Sequence, residues 1–148
     1  MLRPFKAVRP TRDKAYLVAT RSYITYGPEE LDDKLSNNPY TFLHVINPNA
    51  LPELHYTERF SAVRSRYNRF EKEGIFIQDD QPTYYLYEQS TPTAAYTGVI
   101  GLLDAESVVN GTTLPHEKTI AKREHIFARY LSITGVSGRT CVGFWRSR

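Results

Sequence analysis

Thr57-Glu-Arg-Phe-Ser-Ala-Val-Arg-Ser-Arg-Tyr-Asn-Arg-Phe-Glu-Lys72, followed by Glu73-Gly-Ile-Phe-Ile77, is the stretch on which the fold class turns. Phe60, Val63, Tyr67 and Phe70 recur at spacings of three, four and three, which lays them along one side of an α-helix. Arg59, Arg64, Arg66 and Arg69 are interleaved with them. Gly74 supplies a helix stop, because glycine enters the left-handed conformation without a steric cost. The aromatic and β-branched residues of Ile75-Phe-Ile77 then read as a strand. A helix that runs straight into a strand predicts an α+β class, a mixed or antiparallel sheet with interspersed helices.

Downstream, Asp79-Asp-Gln-Pro82 reads as a turn and Thr83-Tyr-Tyr-Leu-Tyr87 as a second strand. After a Thr/Pro link at 90–93, Tyr96 to Leu103 reads as the third strand of a meander. Leu114-Pro115 closes a polar loop. Thr119 is placed to cap a last helix reaching about Leu131, with Ile126, Phe127, Tyr130 and Leu131 as its buried face. Upstream, Phe5–Val8, Ala15–Ala19 and Tyr23–Tyr26 read as short strands or extended segments. Gly27-Pro-Glu-Glu30 opens a helix carrying Leu31 and Leu35 on one face and ending at Asn37-Asn-Pro39. Tyr40-Thr-Phe-Leu-His-Val-Ile46 reads as a strand.

The chain has 148 residues, 41% hydrophobic and 24% charged, which is ordinary for one globular domain and excludes a wholly disordered chain. Its longest apolar stretch, around Val99–Leu103, is far shorter than the ~20 residues of a membrane span. No apolar leader follows the N-terminal Met-Leu-Arg-Pro, so the expected setting is cytoplasmic. The lone Cys141 forms no intramolecular disulfide, and no Cys/His cluster has zinc spacing, so no metal site is expected. His44 and His55 read as a strand and a loop histidine. The net charge of +3 is uneven: His116 to Arg148 holds seven Lys or Arg against two Glu, a local +5. Such a basic end suits a phosphate-bearing ligand or is a solvated face.

Walker, dinucleotide-binding, nucleophile-elbow and zincin motifs are all missing. The segment with the most chemistry is Pro115-His-Glu-Lys-Thr119, followed by Lys122-Arg123-Glu124. A carboxylate, an imidazole and a basic pair gather where a helix is expected to start, a place whose free N–H groups favour phosphate oxygens. Glu117 there can take a proton from a hydroxyl attacking a phosphoryl group while the cations hold that group. A structural account covers the same residues: Glu117 favours the helix dipole, Thr119 caps, and Lys122 and Arg123 are solvated. Tyr84, Tyr85 and Tyr87 with Arg64, Arg66 and Arg69 make a second, less favoured constellation for stacking nucleic-acid bases. Alternation sets Tyr84 and Tyr85 on opposite faces, so at least one belongs to the core.

Arg3-Pro-Phe-Lys-Ala-Val-Arg-Pro10, Tyr23-Ile-Thr-Tyr26, Asn38-Pro-Tyr-Thr-Phe-Leu-His-Val45, Gly74-Ile-Phe-Ile-Gln78 and His116-Glu-Lys-Thr119 occur in an order that resembles domain-of-unknown-function family 1015, often labelled ParB-like. The resemblance covers about residues 1–135. It implies much longer relatives, whose later part carries an Asp-Gly-His-His-Arg motif that this sequence lacks. On that comparison, 1–135 is expected to be the N-terminal portion of an incomplete family domain. Residues 136–148 are expected to be a discordant tail, such as a frameshift or a truncation would leave. The Pro-His-Glu sequence is also similar to that of ParB-like free-serine kinases, which implies Glu117 as general base with His116 beside it. Lys118, Thr119, Lys122 and Arg123 would face the ligand, and a nucleotide or other phosphate donor with Mg would be the cofactor. The resulting expectation is a phosphotransferase in the full-length form. The alternatives are a non-catalytic nucleotide or nucleic-acid binding module and an inactive truncated product. Expected partners are a small molecule and a second copy of the chain through uncovered apolar surface, with no membrane and nucleic acid disfavoured.

Overall fold

The computed structural model describes residues 2–46, 55–114 and 121–137. The fold is α+β: among the described residues, helices are interspersed with three separate two-stranded antiparallel pairings. The chain divides into two compact units. A helical unit comprises Val8–Gln78 and Ala121–Val136. A hairpin unit comprises the described residues of Met1–Ala7, Asp79–Ile120 and Ser137–Arg148.

The helical unit holds strand β2 (Val8–Pro10), helices α1 (Ala15–Val18), α2 (Pro28–Asn37), α3 (Leu43–Ile46) and α4 (Tyr56–Lys72), strand β3 (Phe76–Gln78) and helix α6 (Ala121–Thr134). Helix α4 forms where its apolar spacing predicts, and Val63, Tyr67 and Phe70 are buried along it. His55 stands in the non-helical backbone just before it, as read, and caps it. Its ring accepts from the Thr57 N–H at 3.5 Å, and Glu58 Oε2 accepts from the His55 N–H at 3.1 Å. Gly74 ends the helix region at φ +65°, and Ile75 N then donates back to the Phe70 carbonyl at 2.9 Å. Around α4 a core closes from Val18, Val45, Val63, Tyr67, Phe70, Ile75 and Phe76, with Phe76 in ring contact with Phe42, Tyr67 and Phe70.

Helix α2 also stands where expected, with Pro28 in its first turn, Glu29 and Glu30 beside it and Leu31 and Leu35 half-buried. Three extended readings are overturned. Ala15–Val18 is a helical turn, Tyr23–Thr25 a 3-10 turn, and Leu43–Ile46 a short helix. Short apolar runs carry no period that separates the two states, and local hydrogen bonds decide. Asn38 Oδ1 accepts from the Tyr40 N–H at 3.0 Å, and the Asn38 carbonyl from the Thr41 N–H at 3.3 Å, which curls the chain into α3. His44 consequently lies on a helix, its Nε2 3.0 Å from the Asn38 carbonyl. The meander is broken as well: β3 pairs with β2, Val8 opposite Gln78 and Pro10 opposite Phe76.

The hairpin unit contains β1 (Leu2–Arg3), β4 (Tyr85–Ser90), β5 (Ala95–Ile100), β6 (Leu102–Leu103) and helix α5 (Ala105–Val109). Here β4 and β5 form a true hairpin, from Tyr85 opposite Ile100 to Ser90 opposite Ala95. The predicted single strand to Leu103 is interrupted at Gly101. A Cβ there would stand 2.7 Å from Leu2 Cγ and 2.9 Å from the Arg3 carbonyl oxygen, so only glycine lets β1 lie against β6. The expected polar loop contains α5, capped by Asp104, whose Oδ1 accepts from the Glu106 N–H at 3.2 Å. Tyr85 anchors the unit. Its hydroxyl lies 2.6 Å from Asp79 Oδ2, accepts from the Ala7 N–H at 2.9 Å, and its ring meets Phe5 at 5.1 Å. Tyr84 is exposed and Tyr85 half-buried, and neither belongs to the buried core, so the expectation that one of them does is not met.

Candidate ligand-facing site at the start of the last helix

Helix α6 carries the candidate site at its beginning. It spans Ala121–Thr134, where sequence periodicity placed a helix from about Thr119 to Leu131. Its inner face is rotated from the expected one. Ile126, Tyr130 and Ile133 are half-buried and Thr134 is fully buried, whereas Phe127 and Leu131 are exposed. The reason lies in what α4 offers. Phe60 meets Tyr130 edge-on at 5.3 Å, and the Arg64 guanidinium donates to the Thr134 carbonyl at 2.7 Å. Thr134 Oγ1 donates to the Tyr130 carbonyl at 2.8 Å, and Gly135 at φ +65° closes the helix. A half-buried arginine contact on the negative end of the helix dipole is favourable and fixes the axis of α6 against α4. Val136, beyond this closure, packs half-buried on the same core.

His116, Glu117, Lys118 and Thr119 lie outside the described residues, and they directly precede the helix in sequence. Positions 122 and 123 stand in the first turn of α6, followed by the exposed Glu124. His125, Ile126 and Arg129 line, with Phe60, a shallow open depression of about 100 Å³, too small to enclose a nucleotide. Among the described residues no group of three or more His, Cys, Asp or Glu is placed to hold a metal ion. The tyrosine–arginine constellation falls in two parts, with Arg64, Arg66 and Arg69 in the helical unit and Tyr84, Tyr85 and Tyr87 in the hairpin unit. Arg64 is engaged by Thr134, and Arg69 lies 3.7 Å from Glu73.

One cluster escaped the sequence reading. The Tyr26 phenol oxygen lies 2.9 Å from Thr20 Oγ1 and accepts from the Arg21 N–H at 3.1 Å. The Arg21 guanidinium stands 4.5 Å from the centre of the Tyr26 ring and 2.6 Å from Glu30. The Thr20 hydroxyl, then the Arg21 N–H, hold the phenol below its ordinary acidity value. Only the Tyr23-Ile-Thr-Tyr26 motif pointed at this place, since no spacing rule joins Thr20, Arg21 and Glu30 to Tyr26. Tyr67 is the opposite case: burial first, then its bond to Glu71, push its phenol up to about 12.

The sequence profile of the proteins of unknown function DUF1015 matches residues 2–146. The chain belongs to the DUF1015 family. The match includes the residues that follow Gly135. Comparison with curated proteins and with solved structures finds no match. Within the family fold as it stands here, α6 is held at its C-terminal end by Arg64, and His116-Glu-Lys-Thr119 precedes its N-terminal end. No helix among the described residues is long and apolar enough to cross a membrane.

Proposed function

We propose that this DUF1015 chain carries part of the site of a small-molecule phosphotransferase, ParB-like in kind, with a hydroxyl compound such as serine as acceptor. The reading is supported by sequence order: the described part of α6 runs from Ala121, and Pro115-His-Glu-Lys-Thr119 lies just before it in the chain. A helix start supplies unpaired N–H groups and the positive end of the dipole, where phosphate oxygens are favoured. Lys118, Thr119, Lys122 and Arg123 hold the phosphoryl group. Glu117 takes the acceptor's hydroxyl proton as the new O–P bond forms and the donor's bridging P–O bond breaks, leaving the nucleoside diphosphate. His116 orients that carboxylate. Mg bound to the donor's phosphates would neutralise the leaving group's charge.

The test is a paired measurement with Mg-ATP and serine on a full-length DUF1015 relative that carries this motif, with the substitutions made at the positions matching those of this chain. Glu117→Gln is expected to leave nucleotide binding by calorimetry within about twofold and to reduce phosphoserine formation by about 10²-fold or more. Lys122→Ala with Arg123→Ala is expected to weaken nucleotide binding about tenfold or more, since two phosphate-facing cations are lost. Unchanged turnover in Glu117→Gln sinks the role given to that residue. No phosphoserine and no nucleotide binding by the unsubstituted full-length relative sinks the phosphotransfer reading as a whole.

A further inference from the structure

The β4–β5 hairpin exposes apolar side chains on both of its faces. Cross-strand pairing places Leu86 and Val99 on one face, 79% and 57% exposed, and Tyr87 and Tyr96 on the other, 53% and 62% exposed. Among the described residues the sheet has two strands, and a lone hairpin is marginal in water. Thr91 N donates to the Ala94 carbonyl at 2.7 Å, so the hydrogen-bonded pairs of the ladder fall at 89–96, 87–98 and 85–100. The N–H and C=O groups of Ala95, Thr97 and Val99 therefore point outward from β5, and those of Leu86, Glu88 and Ser90 outward from β4. No further strand pairs with either edge among the described residues.

The two edges differ in a way that names an occupant. Natural edges are guarded by charge, proline or bulges. The β4 edge carries Glu88 at its middle, whereas Ala95-Tyr-Thr-Gly-Val-Ile100 has no charge and no proline. A twofold axis sets a central residue against itself. For β4 that opposes two Glu88 carboxylates, which is unfavourable, and for β5 it opposes two Thr97 residues, a favoured cross-strand pair. The same axis sets Ala95 opposite Val99, and Tyr96 of each copy over Gly98 of the other. Space above Gly98 is open, with no heavy atom within 4 Å of a Cβ built there. A tyrosine ring laid across a bare strand glycine is a known stabilising arrangement.

We infer that the β5 edge is a self-complementary docking surface, and that a second copy of this chain pairs with it antiparallel about Thr97 to give a four-stranded sheet in the order β4-β5-β5-β4. This inference is independent of the phosphotransfer reading. Sedimentation equilibrium of the full chain over a dilution series is expected to show twice the chain mass at high concentration, dissociating on dilution. Thr97→Lys places two ammonium groups on the axis and is expected to weaken the dimer about tenfold or more. Glu88→Lys, on the other edge, is expected to leave it unchanged. A monomer at every concentration overturns the inference, as does a folded Thr97→Lys variant that dimerises like the parent. Should Thr97→Lys not fold, hydrogen exchange on the parent decides. The Ala95, Thr97 and Val99 amides are expected to be protected at dimer concentrations and to exchange freely on dilution, and free exchange throughout overturns it.

Discussion

The helical unit buries Val18, Leu43, Val45, Val63, Tyr67, Phe70, Ile75 and Phe76, whereas in the hairpin unit Leu86, Tyr96, Val109 and Leu114 are each more than 60% exposed. Among the described residues of the hairpin unit, Ser107 is the one buried side chain. Both units draw on similar aromatic and aliphatic residues, so composition does not separate them. Arrangement does. A long amphipathic helix such as α4 offers one apolar side, against which short elements close on several others. A two-stranded sheet has two faces, and among the described residues of the unit Leu86 and Val99 on one and Tyr87 and Tyr96 on the other stay exposed. The hairpin unit is held instead by its ladder hydrogen bonds, by the Tyr85 hydroxyl and by the exposed Arg3–Asp104 ion pair at 3.2 Å. Such bonds contribute modestly when water competes for them.

The widest expected separation between the two regions comes from truncating one ring and one aliphatic side chain. Phe70→Ala empties the centre of the helical core and is expected to cost about 3–5 kcal/mol in denaturant unfolding. Leu86→Ala is expected to change stability by no more than about 0.5 kcal/mol. Equal losses at the two sites would erase the contrast. A smaller effect is expected from Arg64→Ala, which strips the donor from the fully buried Thr134 and is expected to cost about 1–3 kcal/mol. The readout that tests its role in fixing α6 is hydrogen exchange. Amides near Thr134 should lose protection while those of the β4–β5 hairpin keep theirs.

The smallest effect is in pH. Tyr67 has its phenol raised in the folded state to about 12 from an ordinary 10, so the native form holds its proton more tightly than the unfolded chain does. Its contribution is fully present below pH 10 and is lost as pH rises from there through about 12. Thermal unfolding of the parent over that window should fall more steeply than that of Tyr67→Phe. Parallel curves would mean that burial around this hydroxyl is not what shifts it.

Much of the helical unit was legible in the chain. The spacing of Phe60, Val63, Tyr67 and Phe70, the Gly74 stop and the Gly27-Pro-Glu-Glu30 start each carry their structural reason within a few residues. The short runs were not legible. Ala15–Val18 and Leu43–Ile46 look like strands to a propensity scale and are helical because Lys14, Asn38 and Thr41 hydrogen-bond them into turns. The rotation of α6, which turns Ile126, Tyr130 and Thr134 inward, could not be read from a helix with apolar residues on adjoining faces, because Phe60 and Arg64 on another helix choose between them.

The candidate site divides along the same line. That His116, Glu117, Lys118 and Thr119 precede a helix carrying Lys122 and Arg123 was determined by sequence alone, because helix starts are written in local residues. Local order likewise determined the α+β class and the family. Tertiary structure alone decided that β3 pairs with Val8–Pro10 rather than with its neighbour β4, and that Tyr26 gathers Thr20, Arg21 and Glu30. Pairing between strands far apart in sequence depends on where α4 delivers Phe76, and no local pattern records that position.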